Sequence, residues 1–294
     1  MNETVTPDAK RRGGRRERRD LRTRPDHAML PTLAGQLPLT EPMDQEQIER
    51  IDAASFDILE EVGVVFRDDI ALEDWRKAGA DVRGERVHLD RGLVKSLIKT
   101  IPSEITLHAR NPEKTVALGG RQSIFIPMTG APYLRDLEDV RRAPTLDDLA
   151  TFHKLAHMLP AMHSSAHHIV EPMDHPISHR HLRITHSSML YSDKTFMGMT
   201  TSGQNAEDVL DMCAILFGEE YLETHAVVTG NCNGNSPLVW DETMLSAMRA
   251  FNRRNQPVLC SPFVLGGANT PASTVPTVAQ LNAEALSALA YTQV

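Results

Sequence analysis

The sequence predicts an α/β fold: a (β/α) barrel of the TIM type, incomplete in this chain, with about five strand–helix units behind a mixed α+β N-terminal subdomain. Three observations carry that reading. From Arg121 onward, short apolar runs alternate with helical patterns at a spacing of roughly 30 residues, the size of one βαβ step. The stretch Asn231-Cys232-Asn233-Gly234-Asn235-Ser236-Pro237-Leu238 follows the apolar run His225–Thr229, and such residues favour turns at the exit of a strand. The rhythm then stops at Val294, directly after a fifth helical stretch, whereas a closed barrel needs about eight units. The chain is therefore read as a barrel lacking roughly three units. A complete doubly wound sheet is the alternative, because five units also make one.

The elements follow from local chemistry. Residues 1–42 read as a basic disordered tail and linker, punctuated by Pro25, Pro31, Pro38 and Pro42. Residues 43–120 read as the mixed subdomain. An amphipathic helix from Asp44 carries Ile48, Ile51, Phe56, Ile58, Leu59 and Val62 near one face and ends at Gly63. A second helix follows Asp69 and stops at Gly79, and a third covers Leu93 to Thr100 between β-rich pieces at Val87–Leu89 and Ile105–His108. Residues 121–294 hold the repeating part. Its predicted strands are Ser123–Ile126, Met162–Val170, Thr195–Thr201, His225–Thr229 and Pro257–Pro262. The helices between and after them begin at Thr145 (an N-cap faced by Asp148), at His175, at Asn205 (also read as a cap), near Asp241 and near Thr277.

Composition narrows the class. The 294 residues are 41% hydrophobic and 24% charged, an ordinary globular balance, and no apolar run has the length of a membrane span. The three cysteines, Cys213, Cys232 and Cys260, are widely spaced and form no paired motif, which suits a reducing cytoplasm and excludes a cysteine-built zinc site. A cytoplasmic protein without membrane attachment is expected. The net charge of −8 is uneven: Lys10–Arg24 carries nine cations and two anions, leaving −15 on the remainder. No aromatic residue interleaves with those arginines to stack on bases, and the acidic body repels phosphates, so nucleic acid is not an expected partner.

The candidate site lies at strand exits, where strand–helix folds bind ligands. Asn231, Asn233 and Asn235 head the residues, with His168 (beside His167 and Glu171) at the exit of the second strand and Gly266-Gly267 at the exit of the fifth. Thr200, Thr201 and Ser202 end the third strand, where ordinary turn chemistry also explains them. The paired glycines lack the spacing of a dinucleotide fingerprint, and no phosphate loop is present. His153 and His157 have metal-ligand spacing on a helix, but no glutamate follows the first, and both are expected on the helix surface rather than in a metal site. No metal site is predicted. Cys232 and Cys260 lack a neighbouring base and are not expected to act as nucleophiles. Glu284 lies within the last helix, on what is expected to be a solvated face.

Taken together, these motifs resemble the trimethylamine methyltransferase family of corrinoid-dependent enzymes, which also contains glycine betaine methyltransferases. The resemblance rests on Gly130-Ala131-Pro132-Tyr133 with the acidic run Asp136–Asp139, on Asn233-Gly234-Asn235-Ser236-Pro237-Leu238 with Trp240-Asp241, and on Gly266-Gly267 leading to Asn282-Ala283-Glu284. The arginine-rich start, Arg11 to Arg19 around Gly13-Gly14, also looks like that of bacterial members. It implies a barrel that moves a methyl group from a tertiary or quaternary methylamine to the cobalt of a separate corrinoid protein. The chain itself then binds no cofactor directly, and its partners are the corrinoid protein, a small methylated amine and further copies of itself in a homo-oligomer. A methylammonium cation suits an aromatic pocket, for which Tyr133 and Phe263 are the candidates. The resemblance also implies that trimethylamine-using members carry pyrrolysine beyond the region this chain covers. A metal-dependent barrel hydrolase built on the histidines, or a non-catalytic remnant that binds a partner, are the alternatives.

Overall fold

The computed structural model describes residues 29–38 and 40–294. The basic segment Lys10–Arg24 lies outside the described residues. After a short strand β1 (Leu33–Ala34), helix α1 (Gln45–Asp57) starts from Asp44, whose carboxylate accepts from the Gln47 amide at 2.9 Å while the Gln47 side chain accepts from the Asp44 amide at 3.1 Å. The helix loosens into a π-turn, Ile58–Val62, and stops at Gly63. There φ is +73° and a Cβ would stand 2.7 Å from the Val87 carbonyl, so glycine is required.

Strand β2 (Val64–Arg67), helix α2 (Asp69–Lys77), strands β3 (Asp81–Arg83) and β4 (Arg86–His88) and helix α3 (Arg91–Ile98) complete the first layer, with β4 antiparallel to both β2 and β3. A hairpin, β5 (Glu104–Leu107) and β6 (Val116–Gly119), leads to β7 (Gln122–Ser123), and a second hairpin joins β8 (Leu134–Arg135) to β9 (Arg141–Arg142).

The expected strand over Ser123–Ile126 does not form. Only Gln122–Ser123 are extended in a ladder, and they pair antiparallel with β1. Beyond them Pro127 withholds an amide and Gly130 turns to φ +80°, so the chain follows its neighbour irregularly. His163 N donates to Phe125 O at 2.8 Å, Gly130 N donates to His168 O at 2.7 Å, and Ala131 bridges Val170 in parallel. The strand expected over Met162–Val170 is likewise reduced to bridges, Ser164 to Thr195 and Val170 to Ala131, because Ala166 sits at φ +55° between them.

The remaining elements keep the predicted alternation: α4 (Leu146–Met158), α5 (Ile177–Tyr191), β10 (Phe196–Met197), α6 (Gly203–Phe217), α7 (Glu219–Thr224), β11 (Val228–Gly234), β12 (Val239–Asp241), α8 (Glu242–Arg253), β13 (Val258–Pro262) and α9 (Thr274–Tyr291). Helix α4 has the expected capping box of Thr145 and Asp148, and Arg142 clamps the Asp148 carboxylate at 2.6 and 2.7 Å. Helix α6 is capped by Ser202, not Asn205; the Asn205 amide is the donor to the Ser202 hydroxyl at 3.0 Å.

Successive parallel neighbours are the segment at Ala131, the segment Ser164–Val170, β10, β11 and β13. Each is added to the same edge in chain order. A doubly wound sheet reverses its order at a switch point, and this one does not. A (β/α) barrel adds its strands in that same order.

Two ties lock the first layer to this sheet. Strand β12 leaves the parallel sheet and pairs in parallel with β2, matching Trp240 with Phe66. Beneath that pairing Phe56, Phe66, Trp75, Trp240 and Phe251 are fully buried, with the Phe66 and Trp75 rings edge to face at 5.5 Å. At the margin of this core the Arg249 guanidinium of α8 grips both oxygens of buried Asp68 at 2.8 Å and donates to the Tyr291 hydroxyl of α9 at 2.9 Å. Among the described residues no helix is long and apolar enough to cross a membrane.

Asp68 also caps α2, accepting from the Ala71 amide at 2.7 Å. Asp68→Ala strands a buried guanidinium and uncaps a helix, so we expect unfolding stability to fall by about 3–5 kcal/mol, read from urea denaturation. A loss under ~1 kcal/mol would show the pair to be solvated.

Candidate functional site

The asparagine stretch behaves differently from its sequence expectation. It does not end the strand: β11 runs through Asn231, Cys232 and Asn233 to Gly234, because β13 supplies a continuous parallel ladder that pairs Asn231 with Leu259, Asn233 with Ser261 and Gly234 with Pro262. Tertiary pairing overrides the weak strand preference of asparagine. Alternation then sorts the side chains. A Cβ on Gly230 would meet the Phe251 ring at 3.3 Å, and one on Gly234 would meet the Trp240 ring at 3.3 Å, so this face packs on helix α8 and the core. Buried Cys232 shares it. Thr229, Asn231 and Asn233 therefore face the other side of the sheet, with Leu259, Ser261 and Phe263 beside them on β13 and just past its end.

On that face the Ser261 hydroxyl donates to Asn231 Oδ1 at 2.9 Å, and Asn231 Nδ2 reaches Asn233 Oδ1 at 3.4 Å. Thr200, just past β10, donates its hydroxyl to the Asn231 carbonyl at 2.5 Å. Leu259 and Phe263 are 45% and 64% exposed, so the surface around the amides is open and apolar. Asn235 has a separate role. Its amide N donates to Val239 O at 2.8 Å and its side chain to Asp241, the carboxylate that caps α8 through the Met244 amide.

Glu284 corrects an expectation. Instead of lying on a solvated helix face it is 1% exposed, and its carboxylate accepts from the Ser236 hydroxyl, from the Leu238 amide at 2.9 Å and from Gln280 Nε2 at 2.8 Å. Gln280 also donates to the Asn269 carbonyl at 3.1 Å in the loop that carries Gly266 and Gly267. One helix thus holds both loops that follow the strands. The signal was available in the spacing: Gln280, Ala283, Glu284, Ser287 and Tyr291 recur at three- and four-residue steps, which is a buried stripe.

The other predicted residues are more dispersed. Gly267, at φ +80°, closes a tight turn by donating to the Thr270 carbonyl at 3.0 Å, while Gly266 has open space where a Cβ would stand. The Phe263 carbonyl is fixed by Asn269 Nδ2 at 2.8 Å. Tyr133 lies on the segment after Gly130, and the Arg141 guanidinium covers its ring at 4.0 Å, so one face of that ring already holds a cation. His168 stands against Gly130, with Nε2 3.4 Å from where a Cβ would be, and its Nδ1 contacts His167 Nδ1 at 2.5 Å. The structure gathers Asn231, Asn233 and Phe263 on β11 and β13, and leaves Tyr133 and His168 on the other side of β10.

His153 is fully buried, contrary to its helix-surface expectation, and His163, His167 and His181 are buried as well, whereas His157 is half-buried and His179 and His186 are exposed. The His153 Nε2 donates to the His167 carbonyl at 2.7 Å, which leaves Nδ1 to accept from the Ser187 hydroxyl at 2.9 Å. Burial pushes its pKa down from 6.5 to about 4, against the opposing pull of that carbonyl. Burial, then the neighbouring His168 and His153, also hold His167 well below its ordinary range. Among the described residues no three His, Cys, Asp or Glu side chains come together as a metal-ligand set, so the metal-hydrolase alternative has no site there. Burial pushes the Cys260 thiol up to about 12 and Cys232 higher still, away from the thiolate that a nucleophile requires.

Comparison with known proteins decides the family. The family model described as trimethylamine methyltransferase matches residues 11–294. The chain belongs to that family. It is 39% identical over 258 residues to the glycine betaine methyltransferase of Desulfitobacterium hafniense (strain Y51), covering 87% of this chain and 54% of that relative. It is 26% identical over 259 residues to a proline betaine:corrinoid methyltransferase of Eubacterium limosum, covering 84% and 52%. The fold is shared with the crystal structure of the Methanosarcina barkeri monomethylamine methyltransferase, at a TM-score of 0.58 and 13% identity over 84% of this chain and 51% of that one. The chain spans about half the length of the curated family members it matches.

Two outcomes follow for the scaffold of the site. Neutral His153 contributes stability that is full above pH 6.5 and is lost as pH falls toward about 4, because the unfolded chain takes up the proton first. That contribution is roughly 3 kcal/mol. We expect His153→Gln, which keeps an N–H but cannot titrate, to flatten the stability profile between those values; parallel profiles would refute the assignment. Glu284→Ala leaves three donors without an acceptor, and a loss of about 2–4 kcal/mol is expected in the same measurement.

Proposed function

We propose that this chain forms the asparagine-bearing part of a closed (β/α) barrel that takes a methyl group from a tertiary or quaternary methylamine and gives it to the cobalt of a corrinoid protein. The observation that carries the reading is the row Asn231, Asn233 and Ser261 beside exposed Leu259 and Phe263, at the C-terminal ends of parallel strands where barrels bind substrates. The names borne by its relatives support the same chemistry, and the sheet order supports the barrel. Residues 43–120 then serve as a subdomain that braces the outside of the barrel through β2 and α2.

The chain's own task is positional. In a quaternary ammonium the C–N electron pair stays on nitrogen as the methyl leaves, so no proton donor is required, and reduced cobalt supplies the attacking pair. Apolar Leu259 and Phe263 exclude water from the methyl groups, while the amides set the substrate's orientation. The acidic body of the protein favours approach of a cation.

The test mixes purified native protein with reduced cobalamin and either glycine betaine or trimethylamine, and follows the absorbance change of methylation. Turnover of one of the two is expected. Native protein that methylates cobalt from neither donor, and binds neither, overturns the reading.

A further inference from the structure

We propose that the β5–β6 hairpin is a pH-sensitive flap, hinged at Asp193 and latched to the foot of β11 by the rings of His108 and His225. The latch lies just before β11 begins, at the end of the parallel sheet opposite the asparagine row, and it stands apart from the methyl-transfer reading.

The latch is a short stack of rings. Leu107, the last residue of β5, bridges Ala226 in parallel, and the next amide, His108 N, donates to the Ala226 carbonyl at 2.7 Å. His225 lies flat on the Tyr221 ring of α7, with centroids 3.9 Å apart and planes 3° from parallel. The His108 ring meets both of them edge to face, at 4.8 Å from His225 and 6.0 Å from Tyr221. Such contacts hold neutral rings together. The Thr224 hydroxyl gives its one proton to a carbonyl of α7, Glu220 O at 2.9 Å or Tyr221 O at 3.3 Å. His225 Nδ1 is therefore the donor to Thr224 Oγ1 at 2.9 Å, and a second proton enters that ring at Nε2.

Protonating both imidazoles sets two cations side by side with little to offset them. Burial, and then the charge of His225, hold the His108 pKa below its ordinary value. A cavity of about 520 Å³ opens beside the rings, and the one further ionisable group in its lining is exposed Glu104. On α7, Glu219 is tied to Arg254 at 2.6 Å, and Glu220 and Glu223 are exposed. The histidine–carboxylate pairs of the described residues lie elsewhere, at His157, His175 and His181. Because the folded state lowers the His108 pKa, the closed latch contributes stability that is full above the unfolded histidine value of about 6.5 and is lost as pH falls below it.

The far end of the hairpin responds in the opposite sense. The Asp193 carboxylate accepts from Lys114 Nζ at 2.5 Å and from Asn111 Nδ2 at 3.2 Å, while Asn111 N donates to the Asp193 carbonyl at 3.1 Å. Burial raises the Asp193 pKa, but these side-chain bonds lower it further, so the carboxylate stays charged where histidines titrate. His157 stands 3.2 Å from the same carboxylate, where a proton adds attraction. Acid thus loosens one end of the hairpin and tightens the other, which is how a hinged flap behaves.

The experiment is hydrogen exchange on the native protein, corrected for the chemical exchange rate at each pH. The His108 amide should lose at least about tenfold of its protection between about pH 7.5 and pH 5, the factor that one unit of pKa depression yields. The Asn111 amide should keep its protection. His108→Phe retains an aromatic edge against His225 and cannot titrate, so the amide of residue 108 should be equally protected at both pH values. His225→Gln removes the second charge and should shrink the loss. Equal protection of His108 at both pH values in wild type, an undiminished loss in His108→Phe, or a parallel loss at Asn111 overturns the latch.

Discussion

The buried carboxylate of Glu284 is the constraint on which the arrangement of the site depends. The chain between β11 and β12 must leave one sheet and enter another within a few residues, since β11 pairs with β13 while β12 pairs with β2. That turn leaves a hydroxyl and an amide, Ser236 and Leu238, half-buried against helix α9. Glu284 accepts from both, and Gln280 completes its shell. An unpaired buried carboxylate is costly, but one that accepts several charge-assisted hydrogen bonds repays its desolvation. The same helix then reaches the core through Ser287, which accepts from the Trp240 indole at 3.1 Å. Position along α9 therefore fixes where the asparagine row ends.

The N-terminal layer makes that constraint rigid. Without β2, strand β12 would be a three-residue edge with nothing to hold it. With it, Trp240 is matched to Phe66, and the Arg249–Asp68 pair closes the rim against Tyr291. A buried ion pair adds little stability compared with a well-packed apolar substitute, but it penalises every arrangement that separates its partners. Its effect here is to specify how helices α2, α8 and α9 meet. The first layer thereby becomes the support of the parallel sheet's open end, which explains why a region without a predicted site residue shares the principal core.

Much of this was legible in the sequence. Asp44, Thr145 and Asp241 marked helix starts correctly because capping is a local bargain between a side chain and the next turn's amides. Gly63 and Gly79 marked helix ends for the same local reason. What failed was whatever depended on a distant partner. Ser123–Ile126 has the composition of a strand, yet β1, some 90 residues earlier in the chain, captures its first residue and Pro127 blocks the rest. Asn231 and Asn233 have the composition of a turn, yet β13 draws them into a ladder. His153 read as a surface residue because nothing nearby in sequence announces the Ser187 hydroxyl and His167 carbonyl that pair its ring nitrogens.

These failures are not scattered at random. Local rules and tertiary structure agree along helices α1, α4 and α8 and disagree most on one strip of β11, where polar amides occupy strand positions that β-branched residues would fill more stably. The opposite face of the same strand shows what the fold alone prefers: Gly230, Cys232 and Gly234 are small and packed closely beneath Phe251 and Trp240. A strand with one face optimised for packing and the other given to amides, a hydroxyl that has no partner among the described residues and open apolar surface is under two requirements at once. Packing accounts for the first face. The second is not what stability alone would choose, since replacing Asn233 by a β-branched residue would improve strand preference at the cost of one long 3.4 Å contact from Asn231 Nδ2. The side of β11 that the fold does not explain is therefore the side on which ligand chemistry is to be sought.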